Sequence, residues 1–157
     1  MSPIFVTLVV AAVVAAVGCL VLALQVEDWR RDLTTNVAET DPRDPDPLLR
    51  PLEVSLSVGE TVVRIESAVN ELPRWQLVDT RADSGTSELR FVRTSRFFRF
   101  HDDVTVWVEQ RGDGSVIRAR SASRIGTGDL GQNPRNLREL MAAILDRVDA
   151  VPHTGAG

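Results

Sequence analysis

The chain has no tyrosine and no lysine, so its 18 cationic side chains are all arginine, and cysteine occurs once, at Cys19. One cysteine excludes an intrachain disulfide and a thiolate metal site. All-arginine usage fits the codon bias of a GC-rich genome, and it makes every cationic contact a planar, permanently charged fork suited to carboxylate or phosphate. Aromatics are only 5% of residues and the net charge is −4, an acidic balance that excludes a nucleic-acid binder with a basic face. Repeats and low-complexity tracts are absent.

What is present begins with an apolar run. Ile4 to Leu24 carries no charged side chain, and as a helix it would reach roughly 31 Å, about the thickness of the bilayer hydrocarbon. The run predicts an N-terminal single transmembrane helix, with residues 1–25 as the anchor and Trp29 at the interface. A cleaved secretory signal would start with a basic region and end in small residues before the cut, but Met1-Ser-Pro is not basic and Leu20 to Leu24 continue past Ala16-Val-Gly18. Gly18-Cys19 also resembles a lipid-attachment site, although apolar residues follow where a lipoprotein turns polar. Single-pass membrane localisation follows from the anchor. Arg30 and Arg31 favour a cytoplasmic domain, but two residues leave its side open.

Residues 26–52 read as a Pro/Asp-rich stalk. Pro42, Pro45, Pro47 and Pro51 oppose helix, and Asp41, Asp44 and Asp46 keep the segment solvated. An α+β domain then spans 53–151, with a tail over 152–157. Leu52, Val54, Leu56 and Val58 alternate as a half-buried strand. Val62, Ile65, Ala68, Val69 and Leu72 line one helix face before Pro73. Strands follow over 75–81, 87–94, 103–111 and 116–123, with turns at Asp83-Ser-Gly85 and Gly112-Asp-Gly114. Trp75, Leu77 and Asp79 fall on one side of the first of these. The last element carries Leu137, Leu140, Met141, Ile144, Leu145 and Val148 as a stripe, with Asn133 as N-cap and Pro134 at the first helical position. The order β-α-β-β-β-β-α predicts an antiparallel four- or five-stranded sheet with two helices on one face.

Two segments are unusual: Arg99-Phe-His-Asp-Asp-Val104, and Ser121-Ala-Ser-Arg124-Ile-Gly126-Thr-Gly128-Asp-Leu-Gly131-Gln-Asn133. Over roughly 72–148 they resemble the domain of unknown function 1499 family, whose members share a Phe-x-Asp-Asp-Val segment and a Ser-x-Ser-Arg-x-Gly-x-x-Asp-Leu-Gly-x-Asn segment. The resemblance implies no established activity. Trp107 departs from the family, which implies Arg or another polar residue there.

The residues admit several chemistries. Gly126-x-Gly128-x-x-Gly131 superficially matches a dinucleotide fingerprint, but that pattern needs its third glycine inside the helix and a parallel strand afterwards. Helix-start N–H groups with Arg124 could hold an anion, unless Asp129 occupies that place and braces the loop. Asp102 and Asp103 could bind a hard cation with Asp129 or Ser123, yet strand neighbours point to opposite faces. The simpler alternative pairs one of them with Arg99, Arg120 or Arg124. Ser121 or Ser123, His101 and Asp102 are the residue types of a hydrolase triad, but Asp102 follows His101 directly and would face away from it. Arg118, Arg120 and Arg124 share a sheet face that attracts anionic ligand or lipid phosphate, or else pairs with cross-strand acids such as Glu109. Phe97, Phe98 and Phe100 either enter the core or border an apolar pocket.

These readings predict a non-enzymatic, membrane-tethered binding or assembly module for an envelope lipid, an anionic ligand or a partner protein. Arg99, Asp102, Asp103, Ser121, Ser123, Arg124, Asp129 and Asn133 are its candidate ligand-binding residues. No catalytic residue, metal or cofactor is assigned, and the bilayer itself is an expected partner. The alternative is a hydrolase or metal-assisted enzyme centred on the Asp-Asp and Ser-x-Ser-Arg segments.

Overall fold

The computed structural model describes residues 2–25, 34–96, 99–126 and 128–149, without the side chains of residues 19, 21–25 and 149. Trp29, Arg30, Arg31, Phe97, Phe98 and the 152–157 tail therefore lie outside the described residues. The first helix, α1, covers Pro3–Gln25, and its described apolar side chains are exposed, Ile4 at 72% and Val14 at 66%. Among the described residues no helix is long and apolar enough to cross a membrane, which corrects the expected transmembrane anchor. The membrane localisation and bilayer partner expected from the anchor lose their support with it.

The remaining elements run in the order β1 (Val37–Glu39), a single 3-10 turn (Pro47–Leu49), β2 (Leu52–Val54), α2 (Val58–Asn70), β3 (Trp75–Asp83), β4 (Thr86–Thr94), β5 (His101–Arg111), β6 (Gly114–Ser123) and α3 (Gln132–Asp149). They form a six-stranded antiparallel sheet in the order β1-β6-β5-β4-β3, with β2 also beside β6. This corrects the four- or five-stranded expectation. Val37 to Glu39 faces Ala122 to Arg120, and Leu52 to Val54 faces Ile117 to Ser115, so β1 and β2 share one edge of β6 in tandem.

Over its described residues, 34–52, the Pro/Asp-rich segment is therefore part of the domain and not a spacer, and residues 26–33 of the expected stalk lie outside the described residues. Its prolines interrupt an edge strand, and the loop between the two halves is tied to the domain. Asp46 accepts the Leu48 N–H at the start of the 3-10 turn and pairs with Arg138 of α3 at 2.5 Å. Leu49 is buried within the core cluster. Thr40 accepts the Ala119 N–H, and its own N–H reaches the Ala119 carbonyl. Composition alone resembles a linker here, because prolines and aspartates also build the tight turns that fold such a loop back.

The alternation at Leu52 to Val58 breaks after Val54, since Ser57 caps α2. Ser57 accepts the Glu60 N–H while the Glu60 carboxylate accepts the Ser57 N–H, a reciprocal capping box. In β3 the register shifts between Leu77 and Asp79, leaving Val78 as a bulge. Asp79 then faces Arg90 on the solvent side and Thr80 faces Leu89 on the inner side, so Asp79 does not share a face with Trp75 and Leu77. Gly112 takes φ 60 in the β5–β6 turn, a conformation that L side chains avoid. At Gly114 a Cβ would collide with the Val54 carbonyl, so glycine permits the close approach of β2.

Helices α2 and α3 pack on each other and on one sheet face. The core between them contains Ile65, Val69, Leu89, Phe91, Val104, Val106, Val108, Ile117, Leu137, Leu140 and Ile144. Trp75 meets Phe91 edge-on, with ring centroids 6.5 Å apart. The opposite sheet face is open and carries ion pairs.

Candidate functional site

Where β5, β6 and the start of α3 meet, the inner sheet face turns from apolar to polar. Val104, Val106 and Val108 point inward along β5, and the next inward position toward the strand start is Asp102, only 2% exposed. On β6 the inward row continues from Ile117 and Ala119 to Ser121 and Ser123. The register sets Asp102 opposite Ser123 and Val104 opposite Ser121. From α3, Asn133 and Asn136, both at 0% exposure, extend the stripe of Leu137, Leu140, Met141 and Ile144 toward the helix start.

These side chains satisfy one another. Ser123 donates to Asp102 Oδ1 at 2.7 Å, and Asn136 Nδ2 donates to Asp102 Oδ2 at 2.9 Å. Ser121 donates to Asn133 Oδ1 at 2.6 Å and accepts from Asn136 Nδ2 at 3.1 Å. Asn133 Nδ2 reaches Ser123 Oγ at 3.1 Å and the Asn36 carbonyl at 2.7 Å, while Gln132 Nε2 donates to Asn136 Oδ1 at 2.7 Å. Each of these atoms has its partner, the arrangement under which a buried polar network rigidifies a fold.

The surrounding loop is held in the same way. Asn36 donates to the Gly126 carbonyl and takes the Ser123 N–H on its own carbonyl. Asp129 accepts the N–H groups of Gly131 and Asn133, both at 2.8 Å. It therefore fills the anion place at the helix start with its own carboxylate. The Gly131 carbonyl accepts the first helical bond, from the Arg135 N–H, so α3 begins earlier than expected. Asn133 is an inward-facing residue of its first turn and not the cap. Leu130 and Gly131 take φ 53 and 75 to make this entry.

The other candidates lie elsewhere. Asp103 is on the open face, where Arg124 grips it with Nε at 2.9 and 3.1 Å and Nη2 at 2.6 Å. These hydrogen bonds, chiefly, raise the Arg124 guanidinium above its ordinary pKa. Arg118 pairs with Glu109 and Arg120 with Glu39, so this arginine row is matched by cross-strand acids. Arg99 is exposed in the β4–β5 connection at φ 54. His101 is exposed, with Nδ1 3.2 Å from Thr94 Oγ1. Phe100 is 50% exposed. Among the described residues no group of His, Cys, Asp and Glu is arranged to hold a metal ion.

Of the eight candidates, the structure joins Asp102, Ser121, Ser123 and Asn133 directly, attaches Asp129 through the α3 backbone, and separates Asp103, Arg124 and Arg99. Asn136, Asn36 and Gln132 were missed. Asn136 had a signal in the sequence, since it lies three residues after Asn133 and directly before Leu137 on the apolar helix face. Asn36 had none, because its segment reads as linker. Trp107 is half-buried on the open face and donates its indole N–H to Glu88 at 3.1 Å.

The fold and site define an α+β domain in which a polar cluster ties a six-stranded antiparallel sheet to a helix start. The chain belongs to the family described as Protein of unknown function (DUF1499), whose model matches residues 24–144. A search of the curated proteins finds no match. Among solved structures the chain is similar to the crystal structure of TTHA0849 from Thermus thermophilus, at 8% identity and a TM-score of 0.33, covering 73% of this chain and 97% of that one.

Proposed function

We propose that the chain is a non-enzymatic binding or assembly module. The observation that carries this reading is the mutual saturation of Asp102, Ser121, Ser123, Asn133 and Asn136. A hydrolase needs a nucleophile bonded to a base and aimed at a space where a substrate carbonyl can sit. Here Ser123 donates to a buried carboxylate, Ser121 donates to an amide, and the imidazole of His101 is exposed beside Thr94. The cluster instead couples β5, β6, α3 and the Asn36 segment, holding a rigid sheet whose open face and edges are presented to a protein partner or an anionic ligand.

The test separates structure from chemistry. Ser123→Ala removes one donor to Asp102 and one acceptor from Asn133, so urea denaturation is expected to show a loss of about 1–3 kcal/mol. The purified chain is expected to leave ester and phosphoester reporter substrates unhydrolysed, with or without divalent cations. Turnover by the native chain that Ser123→Ala abolishes at unchanged stability would overturn the reading.

A further inference from the structure

The two edges of the sheet are treated differently. Beyond β6 the edge is split into β1 and β2, three residues each, by a segment holding Pro42, Pro45 and Pro47, a common way to blunt a sheet edge against pairing. The other edge is β3, nine residues long and free of proline, which among the described residues pairs only with β4. Val78 and Leu77 on it are 60% and 36% exposed.

We infer that the β3 edge pairs antiparallel with the β3 edge of a second copy of this chain, with Thr80 on the twofold axis. The charge pattern selects this partner and register. Asp79 and Arg81 lie two apart on the open face, joined at 2.9 Å within one strand, with side chains 40% and 65% exposed. Rotation about Thr80 sets Asp79 opposite Arg81 of the copy and Arg81 opposite its Asp79, two opposite-charge cross-strand pairs. Moving the axis to Arg81 would place arginine opposite arginine and Asp79 opposite Asp83. The Thr80 register also brings exposed Val78 alongside Ala82 of the copy. Such an interface is isologous, extends both sheets into one, and satisfies edge N–H and carbonyl groups by strand addition.

This inference rests on the assembly-module reading and gives that module its partner. The two fail separately, because the unfolding behaviour of the buried cluster does not depend on β3 pairing. The test uses the full chain in mild detergent, with Cys19→Ser and Thr80→Cys, since residues on the axis face each other within thiol crosslinking reach. The expected result is a crosslinked dimer at micromolar concentration. Adding Asp79→Arg, or separately Arg81→Asp, places like charges opposite each other and is expected to cut the crosslinked yield about tenfold or more. Mixing those two variants restores opposite pairs and is expected to recover a crosslinked heterodimer. Because α1 is common to every variant, the charge dependence reports β3 alone. No crosslinked dimer from the parent, or equal yield from the single charge variants and the parent, would overturn the inference.

Discussion

Asp46 shows how one side chain converts a loop into part of a domain. Its carboxylate caps the 3-10 turn and accepts from Arg138, and that hydrogen bond, more than any other cause, lowers its pKa from the ordinary 3.8. A carboxylate whose folded pKa is depressed contributes stability that is complete above its unfolded value and is lost as pH falls through the folded one. Asp46→Asn is therefore expected to remove part of the loss of stability below about pH 3.8, where unfolded carboxylates protonate. Urea midpoints across pH 2 to 6 measure it, and an acid limb unchanged in the variant would contradict the assignment. Asp129 acts at the same scale. Asp129→Ala removes the acceptor of two N–H groups at the α3 start, with an expected loss of about 0.5–2 kcal/mol in urea unfolding. Had Asp129 been a ligand-binding group in an open site, its loss would leave stability unchanged.

Among the elements, the tandem edge formed by β1, the Pro47–Leu49 turn and β2 matters most, because it carries Asn36 to the polar cluster and Leu49 into the core. Leu49 is 5% exposed, and Leu49→Ala is expected to cost about 2–5 kcal/mol, seen as a lower thermal midpoint of the full chain. A stalk residue would show no such effect. These elements also mark what was legible in the sequence. Two-residue alternation in Val104 to Val108 and the Gly112-Asp-Gly114 turn match β5, β6 and their tight connection, because there local pattern and tertiary burial agree. β1 and β2 are short, and their pairing is fixed by contact with β6 across a long stretch of sequence, which no local period reveals. The bulge at Val78 reverses the faces of β3, and one extra residue leaves no mark in an otherwise regular alternation. The α3 start slipped because Asn133-Pro134 imitates a cap, whereas Asp129 and Gly131 perform it.

For the whole molecule, the inner face is apolar at its centre and polar at one end, while the outer face carries paired charges. The types of the candidate residues were readable, since Asp102, Ser121, Ser123 and Asn133 stand in unusual segments. Their closure was not, because it depends on Asn36 and Asn136 meeting them from two other elements. Asp103 and Arg124 followed the alternation rule to the open face, so adjacency in sequence became separation in space. The central claim, that this cluster is a structural brace, is tested most directly by a reciprocal exchange. Asp102 accepts from both Ser123 and Asn136. Asp102→Asn keeps one acceptor for these two donors, Asn136→Asp removes the donor to residue 102, and the pair of changes sets the new amide N–H against the new carboxylate while the amide oxygen still accepts from Ser123. Urea unfolding of the two single variants and the double measures the coupling. The account predicts that each single variant loses stability and that the double recovers part of it, with a coupling of about 0.5–3 kcal/mol. Single variants as stable as the native chain, with strictly additive effects, would contradict it.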